Sequence, residues 1–192
     1  MKTAPVEDLS ASTQRLVYSY LESPVGPLLL AQDGEGLRFV SFAHAGDGRQ
    51  PQASWQLSDA PFAEVVSQLN AYFRRELRTF TLPLHLVGSD FQRAVWSALL
   101  SIPYGSTLSY GELARRIGRP AAIRAVGGAN HANPIAIIVP CHRVIGSNGK
   151  LVGYGGGLQT KQRLLSLERG DLLLFEAGTT QVPGFRGSST QA

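Results

Sequence analysis

The chain has one cysteine and one methionine in 192 residues. A single cysteine excludes an intramolecular disulfide and any zinc site built from several thiolates. The histidines, His44, His85, His131 and His142, are scattered without the short spacings of metal ligands. No metal and no cofactor is therefore expected. No run approaches the roughly 18 apolar residues of a membrane span. The stretch from Met1 to Ser12 lacks the basic-then-apolar order of a secretory leader. Both absences predict a soluble, cytoplasmic protein with no membrane partner.

What is present is unevenly distributed. The net charge is +4, but residues 1–84 carry 7 basic and 9 acidic side chains while residues 85–168 carry 9 and 3. A basic half suits a phosphate backbone, although a solvated basic face would give the same count. The hydrophobic pattern divides the chain at the same place, into units 1–84 and 85–170 and a tail 171–192 rich in Gly, Ser and Thr toward its end, expected to be partly disordered. In the first unit, Leu16–Leu21, Leu28–Ala31 and Leu37–Phe42 read as antiparallel strands with turns at Ser23–Pro27 and Asp33–Gly36. Residues 44–60 read as a loop. Pro61–Arg75 has the apolar stripe of an amphipathic helix, and Thr79–Val87 is extended. This small α/β module shows no cluster of chemical groups and reads as scaffold.

The second unit is mainly helical. Ser89-x-x-Gln92 and Ser109-x-x-Glu112 both have capping-box form. Gly118 suits a helix end, and Pro120 suits the first turn of the next helix, Ala121 to about Ala129. Two short helices across such a turn read as a helix-turn-helix in a winged-helix-like unit. The second of them is bare: Ala122, Ala125, Gly127, Gly128 and Ala129 surround one long side chain, Arg124. That surface suits close, shape-based approach to a minor groove better than base reading, and it equally suits tight helix packing.

The chemistry concentrates further on. Ile135–Val139 is a continuous apolar run, read as a buried strand, and it ends at Pro140-Cys141-His142-Arg143. An imidazole and a guanidinium beside a thiol favour the reactive thiolate. Adjacent residues need not face each other, so a direct Cys–His contact and a bridging water stay open. Val144-Ile145 and Leu151-Val152 flank an Asn148-Gly149 turn and read as a hairpin. Gly153-Tyr154-Gly155-Gly156-Gly157 offers free backbone beside an aromatic wall. On the last helix, Leu158–Arg169, Glu168 falls on the apolar face with Leu164, Leu165 and Leu167. An inward carboxylate needs a partner. Either an arginine or His142 in a Cys–His–Glu relay would serve.

Residues 91–168 resemble the O6-alkylguanine-DNA alkyltransferase family. The segments that carry the likeness are Phe91–Trp96, Ile102–Gly105, Ser109–Ala114, Arg124–Ala129, Asn133-Pro134, Ile138–Ile145 and Gly153–Leu158, in matching order and spacing. The first unit resembles the variable first domain of that family more weakly. The resemblance implies irreversible, stoichiometric transfer of an alkyl group from O6-alkylguanine in double-stranded DNA, with O4-alkylthymine left open, to Cys141. It further implies that His142 takes the thiol proton through a water, that Glu168 orients His142, and that Asn133 holds the turn shaping the site. Tyr110 hydrogen-bonds the leaving base at N3 and favours flipping. Arg124 enters the stack, and Ala125, Gly127 and Ala129 belong to the DNA-facing surface. The carbonyls of Cys141 and Val144 accept from the exocyclic amine, the Gly155 amide donates to O6, and Tyr154, Gly156 and Asn130 complete the base pocket. Asn130 and His131 stand where some relatives carry an apolar and a basic residue. Small residues at Ala136 and 155–157 predict room for alkyl groups larger than methyl. A monomer in solution is expected, with side-by-side assembly on DNA left open. A lesion sensor without chemistry would lack the acceptor cysteine. A hydrolase would need an oxyanion hole, and a transcription factor a less bare reading helix.

Overall fold

A computed structural model describes residues 16–43 and 49–171. The readings made for Met1–Ser12, for most of the tail and for the start of the 44–60 loop lie outside the described residues.

Strands β1 (Val17–Leu21), β2 (Leu28–Asp33) and β3 (Gly36–Phe42) form an antiparallel meander. The β2–β3 turn is held by Asp33, whose Oδ1 accepts from the amides of Glu35 and Gly36 at 2.9 and 3.2 Å. A two-residue strand, β4 (Gln56–Leu57), pairs in parallel with β1 inside the expected loop, so the sheet is mixed, in order β3-β2-β1-β4. Helix α1 (Ala63–Phe73) buries Val65, Leu69, Tyr72 and Phe73, the side chains of the expected stripe.

The outer edge of β3 does not face solvent. Leu37 donates to Pro83 O and accepts from His85 N, both at 2.9 Å. Further along, Val40 donates to Pro134 O at 3.0 Å and accepts from Ala136 N at 2.9 Å. An edge strand offers unpaired backbone groups, and here two later segments of the chain take them. The second of these leads to Cys141, so the sheet fixes the approach to the thiol.

The rest is helical. Both capping boxes form. Ser89 and Gln92 cap α2 (Asp90–Leu100), and Ser109 and Glu112 cap α3 (Tyr110–Arg116). Helix α4 spans Ile123–His131, two residues later at each end than expected, so Asn130 and His131 form its last turn. Trp96 of α2 donates its indole N–H to Ala129 O at 2.8 Å, locking α4 against α2. Helix α5 (Gly157–Arg169) ends at Gly170 in left-handed conformation, φ +87°. Among the described residues no helix is long and apolar enough to cross a membrane.

Two expected elements do not form. Ile135–Val139 is buried but is not a strand: Ile138 N donates to Ala136 O, and Ile137 sits at φ +71°. That is a γ-turn, rare and strained for a β-branched residue. A continuous apolar run signals burial, not conformation. Nor do residues 144–145 and 151–152 make a hairpin ladder. The turn closes through Gly146 N to Lys150 O, but β6 (Val144–Ile145) pairs in parallel with β5 (Leu108–Ser109).

At Gly36, φ is +146° and an added Cβ would lie 2.6 Å from Pro83 O, a backbone atom. Gly36→Ala is therefore expected to destabilise the fold by about 2 kcal/mol or more. For a chain of this size that lowers the melting temperature by roughly 4–8 °C. Thermal denaturation followed by circular dichroism measures it, and an unchanged midpoint would show that the β3 edge yields without cost.

Candidate active site

Glu168 projects from α5 into the core, and its side chain has no solvent exposure. Its Oε1 accepts from the Tyr72 hydroxyl at 2.8 Å, His142 Nε2 at 2.8 Å and Arg143 Nη2 at 2.9 Å. Its Oε2 accepts from Arg143 Nε at 2.9 Å and Gly105 N at 3.0 Å. Arg143 spends its remaining reach on Ile102 O, at 2.6 Å. The arginine pair and the histidine relay are thus both present, on one carboxylate. Burial alone would raise the Glu168 pKa, but hydrogen bonds and charge from His142 and Arg143 outweigh it and hold the carboxyl well below its usual range.

His142 is fully buried. Burial pushes its pKa down, against the pull of Glu168, so the ring is neutral near pH 7. A neutral ring donating from Nε2 to Glu168 must carry its free lone pair on Nδ1. That atom is buried and has no hydrogen-bond partner among the described residues.

Cys141 opens a 3-10 turn with His142 and Arg143, and its Sγ accepts from Asn133 Nδ2 at 3.1 Å. Asn133 also donates to Val139 O at 2.8 Å and accepts from Ile135 N at 3.1 Å, clamping the strained turn from inside. The expectation of a ready thiolate is overturned. Burial raises the Cys141 pKa, and Asn133 and the Lys161 charge oppose it without winning. The guanidinium next in sequence points away, to Glu168.

Cys141 lines a cavity of about 260 Å³ together with Asn130, Asn133, Ala136, Tyr154, Gly155 and Gly156 among others. Tyr154 packs edge-on against Phe42 and near His142, with ring centroids 5.6 and 6.5 Å apart. A Cβ at Gly156 would lie 2.6 Å from the Phe42 ring, whereas Gly155 has open space around it. Val144 does not line the cavity. It is fully buried, and its carbonyl accepts from Lys161 Nζ at 2.6 Å. Tyr110 is half-buried at the start of α3, packed beside Gly127 of α4 and close to Asn130, and does not itself line the cavity. Arg124 and Ala125 are exposed on α4 and Gly127 is half-exposed. Ala129 is 5 % exposed with its carbonyl held by Trp96, so its side chain faces the core and cannot meet DNA.

Three contributors escaped the sequence. Tyr72 comes from the half read as scaffold; a tyrosine on a buried helix stripe needs a hydroxyl partner, and that was the available signal. Arg143 was read as a charge for the thiol. Lys161 is completely buried, bridging Val144 O and Val152 O at 2.6 and 2.9 Å, and burial pushes its pKa down to about 8. It shares the inward face of α5 with Leu164 and Leu165, the same periodicity that revealed Glu168.

The Glu168 carboxyl has a lower pKa folded than unfolded, where 4.5 is the ordinary value. Its ionisation therefore stabilises the fold above about pH 4.5, and that contribution is lost as pH falls toward the folded pKa. Wild-type stability should drop through this acid range, and Glu168→Gln should flatten the drop while lowering stability at pH 7 by about 3–5 kcal/mol, because Arg143 is left buried without its counter-charge. Urea unfolding between pH 3 and 7 tests both. A variant with the wild-type slope would place the acid sensitivity elsewhere.

Two family models match the chain: "6-O-methylguanine DNA methyltransferase, ribonuclease-like domain" over residues 16–86, and "6-O-methylguanine DNA methyltransferase, DNA binding domain" over residues 90–170. A methylated-DNA–protein-cysteine methyltransferase of Methanosarcina acetivorans is 53% identical over 153 residues, 80% of this chain and 98% of that protein. The crystal structure of Mycobacterium tuberculosis OGT in complex with DNA is 52% identical, with a TM-score of 0.77, covering 83% of this chain and 99% of that one. The O6-methylguanine-DNA methyltransferase of Pyrococcus kodakaraensis is 26% identical with a TM-score of 0.52, over 80% of this chain and 98% of that one. With the fold and the buried Glu168–His142 pair already described, these matches show that the chain belongs to the 6-O-methylguanine DNA methyltransferase family.

Proposed function

We propose that this protein reverses DNA alkylation directly, by moving a methyl or larger alkyl group from O6 of a guanine in double-stranded DNA onto Cys141. The observation that carries the reading is a buried thiol at the wall of a cavity, followed by a histidine whose tautomer Glu168 fixes so that a free Nδ1 lone pair remains. Relatives at about half identity are methylated-DNA–protein-cysteine methyltransferases, and one solved neighbour was crystallised with DNA.

A base in a duplex cannot reach a cysteine set in a pocket, so the guanine must leave the stack. The α3–turn–α4 unit would dock in the minor groove, with Ala125 and Gly127 allowing close approach and Arg124 filling the vacated space. Exposed Arg115, Arg116 and Arg119 would face phosphates without reading sequence. In the pocket, His142 Nδ1 takes the thiol proton through a water. The thiolate attacks the alkyl carbon, the S–C bond forms, and the C–O6 bond breaks with its electron pair left on the base. The Gly155 amide stabilises O6 and the Tyr110 hydroxyl donates at N3. A proton returns to the base, and the product is guanine. Glu168 stays ionised throughout and steadies the transient imidazolium. The thioether is stable, so one protein molecule repairs one lesion without a cofactor. Ala136 and the open space at Gly155 admit groups larger than methyl.

Incubation with duplex DNA bearing one O6-methylguanine should add a single methyl group, mapped by mass spectrometry to Cys141 and saturating at one per protein. Cys141→Ala should gain none. DNA binding without a mass gain in the wild type would replace transfer by lesion sensing.

The transfer rate should report His142. Its folded pKa lies below the ordinary 6.5, so the base is free above that value and protonated in acid. Single-turnover rates should be flat at pH 6.5 and above and fall only at more acid pH, where the lowered pKa of the ring is crossed. His142→Phe should lose about 10²–10⁴-fold and the acid limb with it. A variant that keeps the wild-type limb would assign the base elsewhere.

A further inference from the structure

The cavity beside the thiol has a buried floor and an exposed rim. Cys141, Ala136 and Gly156 are buried, whereas Arg49, His131 and Gly155 are exposed. Arg49 alone among the lining residues carries a fixed charge, and no carboxylate lines the cavity. It comes from the segment between β3 and β4, in the half that reads as scaffold.

The Arg49 guanidinium lies over the Phe39 ring, 4.0 Å from its centroid. Cation–π attraction holds it there and spends none of its N–H donors. Arg38 approaches the same ring at 5.4 Å, but its charge is met by the buried Asp33 carboxylate at 3.0 Å. Arg49 has no hydrogen bond and no ion pair to another described residue. Partial burial and the neighbouring Arg38 charge both push its pKa down, and an anion set against it would oppose both. A guanidinium held in place with its donor fork unspent suits a phosphate.

A nucleotide that enters this cavity base first leaves its phosphates at the rim. We propose that Arg49 is a substrate-binding residue: its guanidinium pairs with one of the two phosphates that flank the flipped nucleotide. The first half of the chain then holds the reacting nucleotide directly, besides bracing the thiol turn through β3. The inference rests on the flipped-guanine reading above. It also separates Arg49 from Arg115, Arg116 and Arg119, which would meet duplex phosphates whether or not a base has left the stack.

The test removes one charge at a time. Single-turnover methyl transfer, below saturating DNA, is measured for wild type and Arg49→Gln on three duplexes carrying one O6-methylguanine. One has a natural backbone; the others have an uncharged methylphosphonate on the 5′ or the 3′ side of the lesion. On one side, neutralising the phosphate should slow wild type by about fivefold or more and Arg49→Gln by less than about twofold, the coupling expected of a charge-assisted pair. On the natural backbone, the salt dependence of Arg49→Gln should be shallower by about one phosphate contact, and Arg49→Lys should keep the wild-type slope. Both methylphosphonates slowing the two proteins by equal factors overturns the assignment, and so does a slope lost in Arg49→Lys as well, which would make the effect structural. If wild type transfers nothing from the natural duplex, the reading of the site fails; if it transfers but shows no coupling, only the role of Arg49 does.

Discussion

The ionised carboxylate of Glu168, sealed from water, sets the terms for everything around it. A charge in that position is tolerated only when every lone pair is matched, and the matching donors come from three separate parts of the chain: Tyr72 on α1, Gly105 before β5, and His142 with Arg143 after the thiol, while α5 supplies the acid. The network therefore joins the sheet-bearing half to the helical half through hydrogen bonds as well as apolar contact, and the buried core runs continuously across both. Its chemical consequence is local. By accepting from Nε2, Glu168 decides which histidine nitrogen is left to act.

The second constraint is the Asn133 clamp. Between β3 and the thiol the chain makes a γ-turn at Ile137 and another tight turn at Pro140, where Cys141 N donates to Val139 O at 2.8 Å. Such a path costs energy in an isolated peptide and persists only where its surroundings over-determine it. Asn133 supplies that from within and the β3 edge from without, through Val40. The same amide that braces the turn reaches Sγ, so backbone strain and thiol position are controlled by one side chain.

Much of this was legible in the amino-acid order because it is written in local rules. Both capping boxes, the Gly170 stop and the inward face of Glu168 follow from spacing along a helix, and each appears where spacing puts it. The failures share a cause as well. Ile135–Val139 shows burial but not backbone path, because five apolar residues carry no period. The 144–152 hairpin was inferred from its turn, and a turn cannot say which neighbour its strands will choose; Val144 chose Leu108. Ala129 was assigned outward from its small size, yet its carbonyl is claimed by Trp96, 33 positions earlier. Tyr72 lay 96 residues from its acceptor. What sequence spacing cannot express is contact between distant segments, and the polar network consists of such contacts.

The resting state of the thiol deserves a physical reason. Burial holds Cys141 protonated, and Arg143, the cation beside it in sequence, is committed to Glu168. A permanently ionised cysteine would meet any small electrophile, and a protein that works once would be lost to it. A neutral thiol beside a neutral, oriented base reacts only when an alkyl carbon is held in line and the departing base can accept the charge. Proximity then supplies what nucleophilicity at rest does not. On this view low intrinsic reactivity and single use belong together: both follow from setting a protonated cysteine in the wall of a cavity, where a base held inside meets it in line.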